Sequence, residues 1–185
     1  MILAIETTCD ETSAAVVRGN AKGVEVLSNV IASSSEMHEK YGGIVPEVAA
    51  REQVKSIIPV VKEAMKKAKV KKENLEAIAV AYGPGLMGSL LIGVETAKTL
   101  AYVWNKPLIK VNHMEGHMFA NWIVQTPSAL RASPPWQGEI RMPPELPAVA
   151  LVVSGGHTDL IYLKSIEDWE WLGGTRDDAA GECFD

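Results

Sequence analysis

The chain has 185 residues, 47% of them hydrophobic and 22% charged, with a formal net charge of −5. That length allows one large domain or two small ones with a sizeable core, and the composition excludes a disordered chain. The acidic balance excludes a surface that is basic throughout, the footprint of non-specific nucleic-acid binding, though not a local basic patch.

"ILAIE" (2–6) reads as a buried strand, "TTCDETS" as a polar turn and "AAVVR" (14–18) as a return strand. "VEVLSNVIAS" (24–33) reads as a third strand, and "SSSEMHEKYGG" as a polar loop. A helical pattern follows, with Val54, Ile57, Ile58, Val61, Ala64, Met65 and Ala68 at helical spacing and a kink expected at Pro59. Its end, "VKEAMKKAKVKKE", carries Lys62, Lys66, Lys67, Lys69, Lys71 and Lys72. The cluster is a candidate basic patch or, as the simpler reading, a solvated helix end, since cations are favoured at a helix C-terminus.

"LEAIAVAY" (75–82) reads as an apolar strand, 86–104 as a long helix and "PLIKVN" (107–112) as a short strand. This alternation argues for an α/β fold with a partly parallel sheet. Residues 125–147 hold Pro127, Pro134, Pro135, Pro143, Pro144 and Pro147, six of the ten prolines, and read as an irregular boundary. The expected domains are therefore 1–124 and 148–185. "AVALVVSGGHTDLIYL" (148–163) again reads strand, polar turn, strand, and echoes the N-terminus. Two such hairpins suggest duplicated lobes facing each other across a cleft that grips a phosphate-bearing ligand. The final "DDAAGECFD" reads as the start of a helix without a stop signal, as expected of a fragment.

Cys9 and Cys183 are too few for a disulfide framework or a Cys-based zinc site. "MILAIETTCDE" lacks a basic segment and reaches an acid at Glu6, so no secretory signal is expected there. The longest apolar stretch, 86–103, is interrupted by Glu95 and Lys98, so no membrane span is expected. A reducing cytoplasm is the expected compartment.

Several motifs carry chemistry. "GPGLMG" (83–88) matches G-x-G-x-x-G after a strand. Pro84 and the absence of an acid at the end of the next strand, Asn112, weigh against dinucleotide binding. Gly83, Gly85 and Gly88 leave bare backbone at a helix start, suited to an anion or to close packing. "SGGH" (154–157) offers backbone N–H groups to a phosphate or nucleoside, or is an ordinary hairpin turn. Asp10 and Glu11 could hold a cation beside a phosphate, or form a solvated turn. Ser154, His157 and Asp159 are too close in one hairpin to align as a triad.

"NHMEGH" sets His113 and His117 four residues apart, on one face of a helix, as for a shared metal ion. In metallopeptidase motifs the glutamate adjoins a ligand histidine. Here Glu115 lies two residues from each, about 200° around the helix. A metal site is expected, with a structural histidine pair as the alternative, and a protease base is not. Two histidines are too few, so a third ligand must come from elsewhere.

"IETTCDETS", "YGGIVPEVAAREQV", "AYGPGLMGSLLIGVETAKTLAY", "NHMEGH", "LVVSGGHTDL" and "DDAAGECFD" together resemble the bacterial-type tRNA N6-adenosine threonylcarbamoyltransferases, the TsaD family once described as O-sialoglycoprotein endopeptidases. The motifs run in order over nearly the whole chain and match the N-terminal half, or slightly more, of a usual member. The resemblance implies the actin/Hsp70/sugar-kinase (ASKHA) fold with duplicated lobes, the second incomplete here. It implies an acyltransferase that moves a threonylcarbamoyl group from threonylcarbamoyl-AMP to N6 of the adenosine 3′ to the anticodon, in tRNAs reading codons that begin with A. It also implies one iron or zinc ion, with His113 and His117 as ligands and a distal aspartate completing them. Val152, Val153, Ser154, Gly155 and Gly156 correspond to the adenylate-contacting turn, Asp185 to a further substrate contact, and Asp10 and Glu11 to a phosphate loop. The implied partners are tRNA, a paralogous ASKHA-fold protein and a small ATPase of the same pathway, with no membrane. Without the distal aspartate the fragment alone is expected to bind metal weakly and to be inactive. A non-catalytic paralogue or a sugar or acetate kinase is disfavoured by the two histidines, and a metallopeptidase by the placement of Glu115.

Overall fold

The computed structural model describes residues 1–185 apart from 21, 22, 40, 122, 124–143, 155, 184 and 185. The chain divides into two compact units, with the division between Gly116 and His117. The first contains strands β1 (Ile2–Glu6), β2 (Glu11–Asn20), β3 (Gly23–Ser33), β4 (Ala77–Gly83) and β5 (Leu108–Asn112) in the order β3-β2-β1-β4-β5. β1, β2 and β3 form an antiparallel meander, and β4 and β5 extend the sheet in parallel from β1.

Sequence periodicity explains the layering. In β1, Leu3 and Ile5 alternate with half-buried neighbours, as a strand with one core-facing side requires. β4 is buried from Ala77 through Ala81, as expected of a central parallel strand. Helices α2 (Pro46–Ala68) and α3 (Met87–Trp104) bring Ile57, Val60, Val61, Ala64, Ala97 and Ala101 onto Leu3, Ile5, Ala14, Val16, Ile78 and Val80. Each fully buried Leu or Ile there contributes about 1.5–3 kcal/mol.

The buried stripe of α2 is Ala49, Gln53, Ile57, Val60, Val61 and Ala64. Val54 and Ile58, expected inside, are 62% and 43% exposed. The helix is turned so that Gln53 points inward. Pro59 lies on the exposed side and α2 continues through it as one element. The six lysines near its end are all exposed, and Lys69 closes the helix in a left-handed conformation. A short helix, α1 (Ser35–Glu39), occupies part of the stretch read as a loop.

α4 (His113–Ala120) begins where β5 ends. Of the Pro-rich stretch 125–147, only 144–147 are described, as irregular backbone entering β6 (Ala148–Val153). The second unit is an antiparallel meander of β6, β7 (Thr158–Leu163) and β8 (Trp169–Gly174). β8 was not expected from sequence, and the helix start expected in "DDAAGECFD" is a 3-10 turn at Ala180–Cys183. No described helix is long and apolar enough to cross a membrane.

Candidate functional site

The C-terminal ends of parallel strands are where open α/β sheets place their ligands. In the first unit that edge is formed by the turn after β1, the glycine turn after β4 and the start of α4.

The turn after β1 is held by its own carbonyls. Thr8 O accepts from Leu86 N at 2.7 Å. Cys9 O and Glu11 O both accept from Gln53 Nε2, at 2.9 Å each. Asp10 O accepts from Ser34 Oγ at 2.8 Å. Four consecutive carbonyls are thus satisfied by donors from three other segments. His38, only 3% exposed, supports Ser34: its Nε2 lies 3.2 Å from Ser34 Oγ, and its Nδ1 accepts from Val45 N. Gln53, Ser34 and His38 were missed by the sequence reading. A glutamine within an otherwise apolar helix stripe was the available signal.

This anchoring shapes the electrostatics. Glu11 is raised above its ordinary pKa, first by burial and then by the neighbouring charges of Asp10 and Glu6. The Cys9 thiol is pushed up to about 11, by burial first and by Asp10 next, so it stays protonated at neutral pH. Asp10 and Glu11 therefore share an acidic locality with Glu6. Among the described residues, however, no three His, Cys, Asp or Glu side chains converge to hold a metal ion.

The glycine turn has a structural role. A Cβ at Gly85 would lie 2.6 Å from Thr8 O, and one at Gly93 would overlap Thr7 Oγ1. Thr7, fully buried, donates from Oγ1 to Ser89 O at 2.8 Å. Gly85, just before α3, and Gly93, within it, thus let the helix lie directly on the turn after β1. One N–H at the start of α3, that of Leu86, is already taken by Thr8.

His113 is the first residue of α4. Asn112 Oδ1 accepts from Met114 N at 2.8 Å and caps the helix, while Asn121 Nδ2 donates to His117 O and Met118 O at the other end. With both ends fixed, His113 and His117 share one helix face by spacing. His113 is 18% exposed in its side chain and His117 is exposed. His113 Nδ1 lies 3.4 Å from Thr8 Oγ1 and 3.8 Å from Glu6 Oε1. Two imidazoles one turn apart suit a borderline divalent ion such as Fe2+ or Zn2+, as part of a larger ligand set.

In the second unit, the turn after β6 closes on itself. Ser154 N donates to His157 O at 2.8 Å, and His157 N donates to Ser154 Oγ at 3.0 Å. Asp159 Oδ1 accepts from Trp171 Nε1 at 2.7 Å. The serine hydroxyl and the aspartate are thus engaged in shaping the hairpin. Val152 is buried, Val153 is 45% exposed, and Gly156 is exposed.

Residues 25–185 match the family model described as "TsaD: tRNA N6-adenosine threonylcarbamoyltransferase". The chain belongs to the TsaD family. It is 52% identical over 185 residues to the tRNA N6-adenosine threonylcarbamoyltransferase of Thermomicrobium roseum, covering 100% of this chain and 47% of that protein. The enzyme of the same name from Symbiobacterium thermophilum is 50% identical over all of this chain and 49% of its own length. The Staphylococcus epidermidis enzyme is 46% identical, over all of this chain and 48% of its own length. The chain thus spans about half the length of these curated relatives. Among solved structures, YeaZ from Pseudomonas aeruginosa shares the fold, with a TM-score of 0.50 at 16% identity over 96% of this chain and 66% of that one. The α/β architecture is of the actin/Hsp70/sugar-kinase type.

His113 and His117 lie on one short helix directly after a parallel strand, and Asp10 and Glu11 end a turn pinned from beneath. Val152, Val153, Ser154 and Gly156 lie at the β6 end and its turn, while Gly155 and Asp185 lie outside the described residues.

Proposed function

We propose that this chain carries the N-terminal half of a tRNA N6-adenosine threonylcarbamoyltransferase, a cytoplasmic acyltransferase acting on tRNAs that read codons beginning with A. Membership of the TsaD family supports the reaction class. The observation that carries the residue assignment is the capped helix α4, which sets two histidines one turn apart at the carboxyl edge of a parallel sheet.

In this reading His113 and His117 hold one divalent ion, iron or zinc, together with the aspartate that the family carries beyond this chain. When bound, the ion supplies Lewis acidity to the threonylcarbamoyl group. In the family's scheme Val152, Val153, Ser154, Gly155, Gly156 and Asp185 would supply the contacts to the adenylate. N6 of adenosine forms a bond to the carbamoyl carbon and loses a proton. The bond from that carbon to the phosphate oxygen breaks, and AMP leaves. The amine is itself the nucleophile, so no general base for water is required, in keeping with the position of Glu115. Asp10 and Glu11 form a phosphate or cation loop in the same scheme. With a net charge of −5, much of the tRNA contact falls to partners, a paralogous ASKHA-fold protein and a small ATPase.

The test supplies the full-length protein and its partners with threonylcarbamoyl-AMP and unmodified tRNA, followed by nucleoside mass spectrometry. The threonylcarbamoyl nucleoside is expected, and H113A and H117A should reduce it to background. Its absence from metal-loaded wild-type protein would overturn the proposal.

A further inference from the structure

The end of α2 concentrates positive charge in a chain that is otherwise acidic. Residues 62–73 hold six lysines, Lys62, Lys66, Lys67, Lys69, Lys71 and Lys72, against two glutamates, Glu63 and Glu73, for a local charge of +4. The rest of the chain then carries −9 of the net −5. All six lysines are exposed. Lys62, Lys66 and Lys69 recur at i, i+4 and i+7 and share one side of the helix. Lys71 and Lys72 continue on the turn that follows. Lys66 meets Glu63 at 3.7 Å, an exposed pair that neutralises little. Glu76, the next acid along the chain, is taken by the N-terminal ammonium at 2.6 Å.

Two simpler explanations cover part of this cluster. The helix dipole favours cations in the last turn, which accounts for Lys66 and Lys67. Lys62 lies before that turn, and Lys69, Lys71 and Lys72 lie beyond it. The final carbonyls, of Met65 and Lys66, accept from the backbone N–H groups of Val70 and Lys69, so the main chain itself caps the helix. A solvated face ordinarily intersperses both signs, as α2 does earlier, where Arg51 pairs with Glu47 and Lys55 with Glu52. Its end departs from that pattern. Six ammonium groups within twelve residues repel one another, and a polyanion relieves the repulsion.

We propose that this lysine patch is an RNA-backbone contact, which holds phosphates of the substrate tRNA away from the reacting nucleoside. The inference rests on the tRNA reading above and adds the surface through which this chain takes part. The side-chain chemistry favours phosphates over bases. Residues 62–73 include no arginine for bidentate base contacts and no aromatic ring for stacking, whereas lysine is a flexible point charge suited to phosphate. The helix also fixes the distance. Gln53 bonds the turn after β1 at the carboxyl edge of the sheet, and Lys69 lies further along the same helix, about 24 Å away at 1.5 Å per residue. Glu76 N donates to Met1 O where β1 and β4 begin, so this end of α2 leads to the opposite edge of the sheet. The patch therefore meets a part of the RNA remote from the nucleoside that reacts, and gives affinity without reading sequence.

The experiment uses the full-length protein with its partners and unmodified tRNA. K62Q/K67Q/K72Q removes three charges from the patch. K55Q/K98Q/K164Q removes three charges elsewhere and is the control. All six side chains are exposed, so neither variant disturbs the core. Dissociation constants for tRNA are measured between about 50 and 200 mM salt. Each lost phosphate contact lowers the slope of log affinity against log salt by ~1, so the patch variant should lose ~2–3 in slope and bind ~10-fold or more weakly at the low-salt end. The control should keep the wild-type slope. A patch variant that matches the control in slope and affinity overturns this proposal alone. So does one that binds tRNA as wild type does and releases the partner proteins on size exclusion, since the lysines then face an acidic protein. Wild type that neither binds nor modifies tRNA overturns the tRNA reading and this proposal with it.

Discussion

Gln53 uses one amide nitrogen to bind two carbonyls, those of Cys9 and Glu11, at 2.9 Å each. The side chain is 1% exposed and both bonds are part-buried, so water replaces this donor only in part. Q53L removes the donor and keeps a comparable volume. It leaves two part-buried acceptors without this donor but also removes Gln53 Oε1, which has no partner among the described residues, so the net cost falls at about 1 kcal/mol, the low end for an unmade bond. Urea unfolding should show a lower midpoint with an unchanged slope. An unchanged midpoint would mean that the turn after β1 does not depend on this anchor.

Gly85, Gly93 and Gly116 should separate by position. G85A places a methyl 2.6 Å from Thr8 O, a backbone atom that cannot move freely because Leu86 N already binds it. G93A overlaps the buried Thr7 hydroxyl. Overpacking of this kind costs about 1–3 kcal/mol. Gly116, inside α4, meets nothing within 4 Å among the described residues, so G116A should stabilise by about 0.5–1 kcal/mol through helix propensity. Thermal unfolding should therefore show two lowered midpoints and one raised. A uniform response to all three would contradict the packing role given to Gly85 and Gly93.

These residues also show how much of the molecule was legible in advance. β1, β2, β3, β4, β5, α2 and α3 follow from alternation and helical spacing, because each buries one well-defined face. The phase of α2 was misread because apolar count favoured Val54 and Ile58, whereas the helix turns to bury Gln53. That preference comes from carbonyls more than forty residues away in sequence. β8 was missed because Trp169, Trp171 and Leu172 sit among charged and glycine residues, and its pairing to β7 is broken by a bulge. The histidine pair could be read from spacing alone. Its neighbours Thr8 and Glu6 could not, since a contact 105 residues apart leaves no periodic trace.

Glu11 gives a pH signature with a definite sign. Its pKa is raised above 4.5, chiefly by burial and then by Asp10 and Glu6. The folded state therefore holds this proton more tightly than the unfolded chain does. The stabilisation from protonated Glu11 is full below 4.5 and is lost as pH rises through the raised value, so at neutral pH the ionised group works against the fold. E11Q is neutral at every pH. In chelator-treated protein its melting temperature should exceed that of wild type at pH 7–8. The gap should close as pH falls and vanish below 4.5. A gap that stays constant across the range, or a lower melting temperature for E11Q at pH 7, would contradict the assignment.

The second unit carries its own consequence. Val149, Leu151 and Val153 alternate along β6 and are 59%, 64% and 45% exposed. Leu160, paired with Leu151 across the sheet, is 40% exposed and lies on the same face. Side chains at directly paired positions share a face, so these four make one apolar strip. The opposite face carries Val152, Ile161 and Leu163, all at most 9% exposed, and these positions hold the hairpin in place. An exposed apolar strip on a short sheet promotes self-association. L151T with L160T replaces two of its members by β-compatible polar residues. For the 185-residue chain, sedimentation should show less self-association in the double variant, with the unfolding free energy within about 0.5 kcal/mol of wild type, as for surface changes. A large loss of stability would instead show that Leu151 and Leu160 belong to the core of this unit.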